Sequence, residues 1–354
     1  MFFARHESAR KISGGAKMSS ASAWLPRSTR WLAAAALLSV FTLFAGPAPQ
    51  AVFARATQTQ ASAAKAKASS SQSQGAQNAA KQKTFSSPKD AADALYQAAR
   101  TNDENGMLVI LGPEAHDLVL WTDNAADRKA DTDFFVKKYE QMHRLVKEPD
   151  EETTLYVGAE NWPLPIPLVE KNGVWSFDGG LGAQEIMYRR IGENEMNGMD
   201  VLRGLSEAEN EFYDNEISGT PAEYAPRFNS DQGTHDGLYW AVNGKDEPSP
   251  VGRYVAEASY DRADHKPLHG YYFRILTEQG PNAPGGARKY VVNDKMTGGF
   301  AFVAFPAEYR SSGVKTFIVS HNGVVYEKDL GPNTTKIAST MTDFNPDSSW
   351  SRVQ

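Results

Sequence analysis

Residues 162–180 read WPLPIPLVEKNGVWSFDGG, and this stretch decides the fold. Pro163, Pro165 and Pro167 each fix φ and remove a backbone N–H, so no helix can pass through it. The chain must be extended there, as an edge strand or a strand carrying a bulge. Lys171-Asn172-Gly173 is a hairpin turn signal. Val174-Trp175-Ser176-Phe177-Asp178 is the returning strand, and Gly179-Gly180 breaks it.

Upstream of the hairpin, Thr153 to Val157 alternates as a further strand, and the folded chain before it, from Phe85 to Val146, is helical in pattern. Ser87-Pro88 has the look of a helix start, with Ser at the N-cap, Pro at the first helical position and acids in the first turn. Ala91, Ala94, Leu95 and Ala98 give that helix its apolar stripe. Residues 103–111 predict a second helix, stopped by Gly112-Pro113, and 114–121 and 131–146 predict two more. Downstream, a long helix is expected over 183–212, with Ile186, Ile191, Met199, Leu202 and Leu205 on its apolar side. A loop-rich stretch, 214–250, is followed by strand patterns at 270–276, 289–292, 299–305, 315–320 and 324–327, the last two joined by Asn322-Gly323.

Helices, then a hairpin, then a long helix is an α+β order. The expected architecture is N-terminal helices packed on a curved, cone-like antiparallel sheet, followed by a small C-terminal antiparallel β module. The domains expected are an α+β domain over 85–215 and a loop-rich segment with the β module over 216–354.

Residues 31–45, WLAAAALLSVFTLFA, are apolar and uncharged, with Arg27 and Arg30 before them. The run is shorter than the roughly 20 residues that span a bilayer. It has the length and flanks of a secretory signal peptide. Gly46, Pro47 and Pro49 follow, and Val52-Phe53-Ala54 places cleavage after Ala54, with Met1 or Met18 as the start. The signal peptide is therefore 1–54. Residues 55–84, rich in Ala, Ser, Gln and Lys, read as a disordered linker. These features predict an exported protein, periplasmic or extracellular, with no membrane span after cleavage.

Removing the six basic residues and one acid of 1–54 leaves 31 basic and 42 acidic residues, a net charge of −11. Such a surface repels phosphate backbones, so nucleic acid is not an expected partner. There is no cysteine, which excludes disulfides, thiolate metal sites and a Cys nucleophile.

The chemistry-bearing groups are few. His235-Asp236-Gly237 could hold a general base or half a metal site, or form an Asp-Gly turn. Residues 178–183, DGGLGA, join a strand to a helix but lack the Lys-Ser/Thr of a phosphate loop. Arg189 and Arg190 with Glu193 and Glu195 pack charges into two helical turns, where Arg189–Glu193 is an i,i+4 pair. They read as a structural ion-pair network or as the polar floor of a pocket. Trp162, Trp175, Tyr239 and Trp240 are core aromatics or the lining of a groove for a sugar or peptide. Trp162, Trp175, Arg189, Arg190, Glu193, His235, Asp236, Tyr239 and Trp240 are thus the candidate ligand or partner surface. No catalytic set, cofactor or metal is expected.

The chain resembles the bacterial family of domains of unknown function DUF2950 over about 85–350. The resemblance rests on residues 161–168 (NWPLPIPL) with 175–178 (WSFD), Glu185-Ile186 with 189–195 (RRIGENE), 235–240 (HDGLYW), and Gly299-Phe300 with 306–309 (PAEY). It implies export and no assigned activity. The C-terminal strands, around 312–319 and 323–325, are weakly similar to pilin and pseudopilin heads, although no prepilin cleavage site precedes them. The function expected is a non-enzymatic cell-envelope binding or assembly module, with an envelope protein or small ligand as partner. The alternatives are an envelope hydrolase using the His/Asp loop and an accessory of a pilus- or secretion-related system.

Overall fold

The computed structural model describes residues 81–217, 222–242 and 248–353. The expected signal peptide and residues 55–80 of the expected linker lie outside the described residues. Contacts divide the chain into two compact units, one up to Gly180 and one from Leu181.

In the first unit, α1 (Pro88–Arg100) starts as its sequence dictates: the Ser87 side chain accepts from the Asp90 N–H and Pro88 opens the helix. Asp103 caps α2 (Glu104–Leu111) in the same way, and Gly112 ends it. Where one helix is expected over 114–121, there is a 3-10 turn (Pro113–Ala115) and a single turn, α3 (His116–Val119). The helix expected over 131–146 is α4 (Ala125–Gln141), capped by Asn124, and it stops early. Met142 is extended, and β1 (His143–Lys147) pairs antiparallel with β2 (Thr153–Val157). Strand pairing has overridden helical periodicity at 143–146.

The proline-rich stretch splits into β3 (Trp162–Pro163) and β4 (Leu168–Lys171), both antiparallel to β2. The register shifts by two residues between them: Leu164 N–H still donates to Leu155 O at 2.8 Å, and the chain from there to Pro167 bows out of the ladder as a bulge. Leu164 and Ile166, 5% and 1% exposed, point into the core from this bow. Burying each is worth about 1.5–3 kcal/mol. That offsets the ladder bonds the prolines cannot donate, about 0.5–1.5 kcal/mol apiece. β5 (Val174–Phe177) returns beside β4, and Asn172 (φ 56°) and Gly173 (φ 77°) form the left-handed pair between them. The sheet order is β1-β2-β4-β5, with β3 also on β2. Lys83 N–H donates to Val109 O and the Gln82 side chain to Ile110 O and Phe177 O, so the last residues assigned to the linker are tied to this core.

Helix α5 (Gly179–Asp214) begins four residues before the expected start. A Cβ on Gly179 would lie 2.9 Å from Ala115 N and 3.1 Å from Leu111 O, so the glycine serves close backbone approach. Its apolar residues Leu202, Leu205, Ala208 and Phe212 belong to the core of the second unit. The boundary read from sequence at 215 therefore falls after a helix that shares a core with the C-terminal strands. That core is built on an antiparallel sheet, β15-β13-β12-β11-β6. Its members are β6 (Tyr271–Leu276), β11 (Ala301–Pro306), β12 (Lys315–Ser320), β13 (Val325–Asp329) and β15 (Ser351–Arg352). All six residues of β11 are buried, so both faces of the central strand are covered. Short strands β7 (Glu278–Gln279), β8 (Arg288–Lys289) and β14 (Asp343–Phe344) form a second sheet, and β9 (Val291–Val292) pairs with β10 (Lys295–Met296). Two short helices, α6 (Arg253–Glu257) and α7 (Thr334–Ser339), complete the unit. The fold class is α+β with a small C-terminal antiparallel sheet. No helix among the described residues is long and apolar enough to cross a membrane.

Candidate functional site

The first unit holds a cleft of ≈ 60 Å³ over one face of α4. Arg128, Asp131, Thr132 and Phe135 follow the i, i+3, i+4, i+7 spacing of a single helical face and all line it. Leu95 of α1, Met107 and Leu111 of α2, and Leu164 and Ile166 of the bow supply the apolar walls. Leu118, Val119 and Trp121, in and just after α3, complete the lining.

The polar side of the cleft is built rather than incidental. Arg128 donates from Nε to Glu104 Oε1 at 2.7 Å, from Nη2 to Glu104 Oε2 at 3.3 Å and from Nη1 to Thr122 O at 2.6 Å. This two-pronged pair joins α4 to the first turn of α2 and fixes the guanidinium plane. Its side chains are 15% and 28% exposed. Thr132 Oγ1 donates to Arg128 O, and Asp131 is 5% exposed. The arrangement can seat an apolar group against the walls while presenting charge and hydroxyl at one side.

The sequence-predicted residues lie elsewhere. Trp162 and Trp175 are half-buried against the core of the first unit, and Trp175 pairs its backbone with Phe85. Trp240, 7% exposed, is in the second core and Tyr239 packs against it. The four aromatics thus belong to two cores. Arg189 pairs with Glu185 at 2.7 Å, not with Glu193 as the spacing suggested. The carboxylate N-terminal to the cation is the more favourable i,i+4 order. Arg190 is exposed and Glu193 half-exposed. Their neighbours Asn194 and Glu195 do structural work: Asn194 Nδ2 donates to Ser312 O, and Glu195 Oε1 accepts from the N–H groups of Val314 and Lys315.

His235 is exposed and stacks on Trp240, ring centroids 4.2 Å apart. The Asp236 carboxylate accepts from Thr234 Oγ1 (2.6 Å) and from the Asp231 N–H (3.0 Å), with Arg227 at 3.4 Å. Partial burial works against its charge, but these hydrogen bonds and Arg227 hold its pKa below the ordinary value. Gly237 does not take the positive φ expected of an Asp-Gly turn; instead a Cβ there would lie 2.8 Å from the backbone of Asn229 and Ser230. Asp236 thus ties the loop back to Asp231 and Thr234, while His235 is held, among the described residues, only by its stack on Trp240. Among the described residues, no group of three or more His, Cys, Asp or Glu could hold a metal ion.

Sequence reasoning missed the cleft because its polar members interrupt the apolar stripe of α4. That interruption was the available signal: Arg128, Asp131 and Thr132 share a face with Phe135 and Tyr139, both buried. It also missed Glu209 on α5, a fully buried carboxyl. Glu209 Oε2 accepts from the Ala225 N–H at 2.8 Å and Oε1 has no hydrogen-bond partner among the described residues. Burial raises its pKa well above the ordinary value, against the smaller opposing effect of the Ala225 bond.

The fold defines a two-unit α+β protein. A family model described as a protein of unknown function, DUF2950, matches residues 82–353, and the chain belongs to that family. The match begins at Gln82, the residue that ties the start of the described chain to the first core. No curated protein and no solved structure matched the chain.

Proposed function

We propose that the protein is exported and acts as a non-enzymatic binding module of the cell envelope, its first unit seating an apolar side chain of a partner protein. The observation that carries this reading is the cleft over α4, with apolar walls and a fixed Arg128–Glu104 pair at its side. Its ≈ 60 Å³ is far below the about 300–1,000 Å³ of pockets that enclose whole small molecules. It has the size of an anchor pocket, where one buried side chain carries much of an interface's affinity. Export rests on the 31–45 apolar run and its flanks. The His235–Asp236 loop adds no support to a hydrolase, since Asp236 accepts from Thr234 and the Asp231 N–H while His235 stacks on Trp240.

Tagged wild type and Thr132→Met are to be produced in the native host and their captured proteins compared quantitatively. Met would fill the cleft without disturbing the helix, since Met has high helix propensity. The expected result is a discrete envelope protein whose recovery falls at least ~10-fold in the variant, the loss of about 1.4 kcal/mol of binding. Equal recovery by both would remove the cleft from the account.

A further inference from the structure

We propose that the second unit carries a separate binding site for a neutral saccharide, in the cleft beside β14. This cleft has a volume of ≈ 310 Å³, within the about 300–1,000 Å³ range of ligand pockets. Ile318 of β12, 1% exposed, lines it with Met341 and Trp350. Thr340, Thr342, Asp343 and Asn345 supply the polar lining.

The polar groups are placed by the backbone. Asp343 and Asn345 are two residues apart in an extended segment, so they share a face, and Phe344 between them is fully buried on the other. Asn345 Oδ1 accepts from the Asn282 N–H at 2.9 Å, which leaves its Nδ2 as the donor end. A Cβ on Gly280 would collide with the Asn345 side chain, so the close fit there holds the amide in place. Asp343 Oδ1 accepts from Thr342 Oγ1 at 2.5 Å, and its remaining lone pairs offer acceptor capacity. Arg274 holds the adjoining segment: Nη1 donates to the carbonyls of Ala338, Ser339 and Met341, and Nε donates to Asp261 Oδ1. A cleft whose loop is tied at three carbonyls is preorganised, which cuts the ordering cost of binding.

The lining selects the ligand class. An amide donor beside a carboxylate acceptor matches the adjacent hydroxyls of a sugar, each of which donates and accepts. Lys328 Nζ lies over the Trp350 ring, 5.7 Å from its centroid, so it is the ring's remaining face whose negative quadrupole would meet the weakly positive C–H edges of a pyranose. Asp343 disfavours an anion, and a purely apolar solute would leave the carboxylate and amide desolvated without partners.

The test is a ¹H–¹⁵N titration of the full chain with N-acetylglucosamine, glucose, galactose and mannose, following the Trp350 indole signal assigned with Trp350→Phe. The expected result is a saturable millimolar shift with at least one sugar, spreading to the amides of 340–345. Asp343→Asn retains the backbone pairing and shape, and should weaken the affinity at least ~10-fold, as loss of a charged hydrogen bond does. Trp350→Ala should lose the shift of 340–345, with the spectrum otherwise unchanged. Absence of a saturable shift with all four sugars overturns the proposal. So does an equal response to tetrahydropyran, which has the ring without the hydroxyls, or undiminished binding by Asp343→Asn.

Discussion

Glu209 is the residue whose chemistry is most displaced from ordinary. It is fully buried, and one oxygen of its carboxyl lacks a hydrogen-bond partner among the described residues. Its folded pKa is raised above the ordinary 4.5, so the folded chain keeps a proton that the unfolded chain has lost above that pH. The contribution is fully present below the unfolded pKa and is lost as pH rises towards the folded one. The slope in that window is about −1.4 kcal/mol per pH unit. Urea denaturation across pH should show this decline in the wild type. Glu209→Gln keeps an acceptor for Ala225 and cannot ionise, so it should flatten the decline and stabilise the protein at neutral pH. A variant curve parallel to wild type would contradict the assignment. Nothing in the sequence around Glu209 announced it, because an acid on an amphipathic helix is ordinarily on the solvated side. The opposite holds for His235-Asp236-Gly237: both of its readings were legible, and Asp236 does hold its loop through Thr234 and the Asp231 N–H, but Gly237 lacks the positive φ that the turn reading requires.

At the scale of elements, the hairpin was the most legible feature. Lys171 faces Val174 across a two-residue turn, and both Asn172 and Gly173 take the left-handed conformation. Gly173→Ala should therefore destabilise the first unit by about 1–2 kcal/mol, the cost of a Cβ in that region. Its neighbourhood is open, so no clash adds to this, and a larger loss by chemical denaturation would point to a role beyond the turn. The proline stretch was legible as extended and bulged, and its buried Leu164 and Ile166 explain why the bulge is tolerated. The 131–146 helix was not, because Leu145 and Val146 continue a helical apolar pattern while their backbone pairs with Leu155 and Thr154. Periodicity in one segment carries no knowledge of a strand further on. The strand pattern at 289–292 fails in part for a similar reason: Tyr290 is buried, its N–H donates to Thr277 O, and it separates β8 from β9.

For the whole molecule, two cores rather than one organise the chain, and the long helix α5 goes with the second. Sequence adjacency placed it with the hairpin before it; which core receives Leu202, Leu205 and Phe212 depends on strands read some 60 residues later. Intact mass of the protein recovered from producing cells should correspond to a chain starting at Arg55, whereas retention of residues 31–45 would indicate an anchor. The most direct measurement of the binding account is photo-crosslinking in the producing cell, with a benzophenone side chain in place of Trp121 at the edge of the α4 cleft. The account predicts one discrete protein adduct, mapped to a partner segment bearing an aliphatic side chain and suppressed by Thr132→Met. A failure to form any adduct, or adducts that Thr132→Met leaves unchanged, would contradict it.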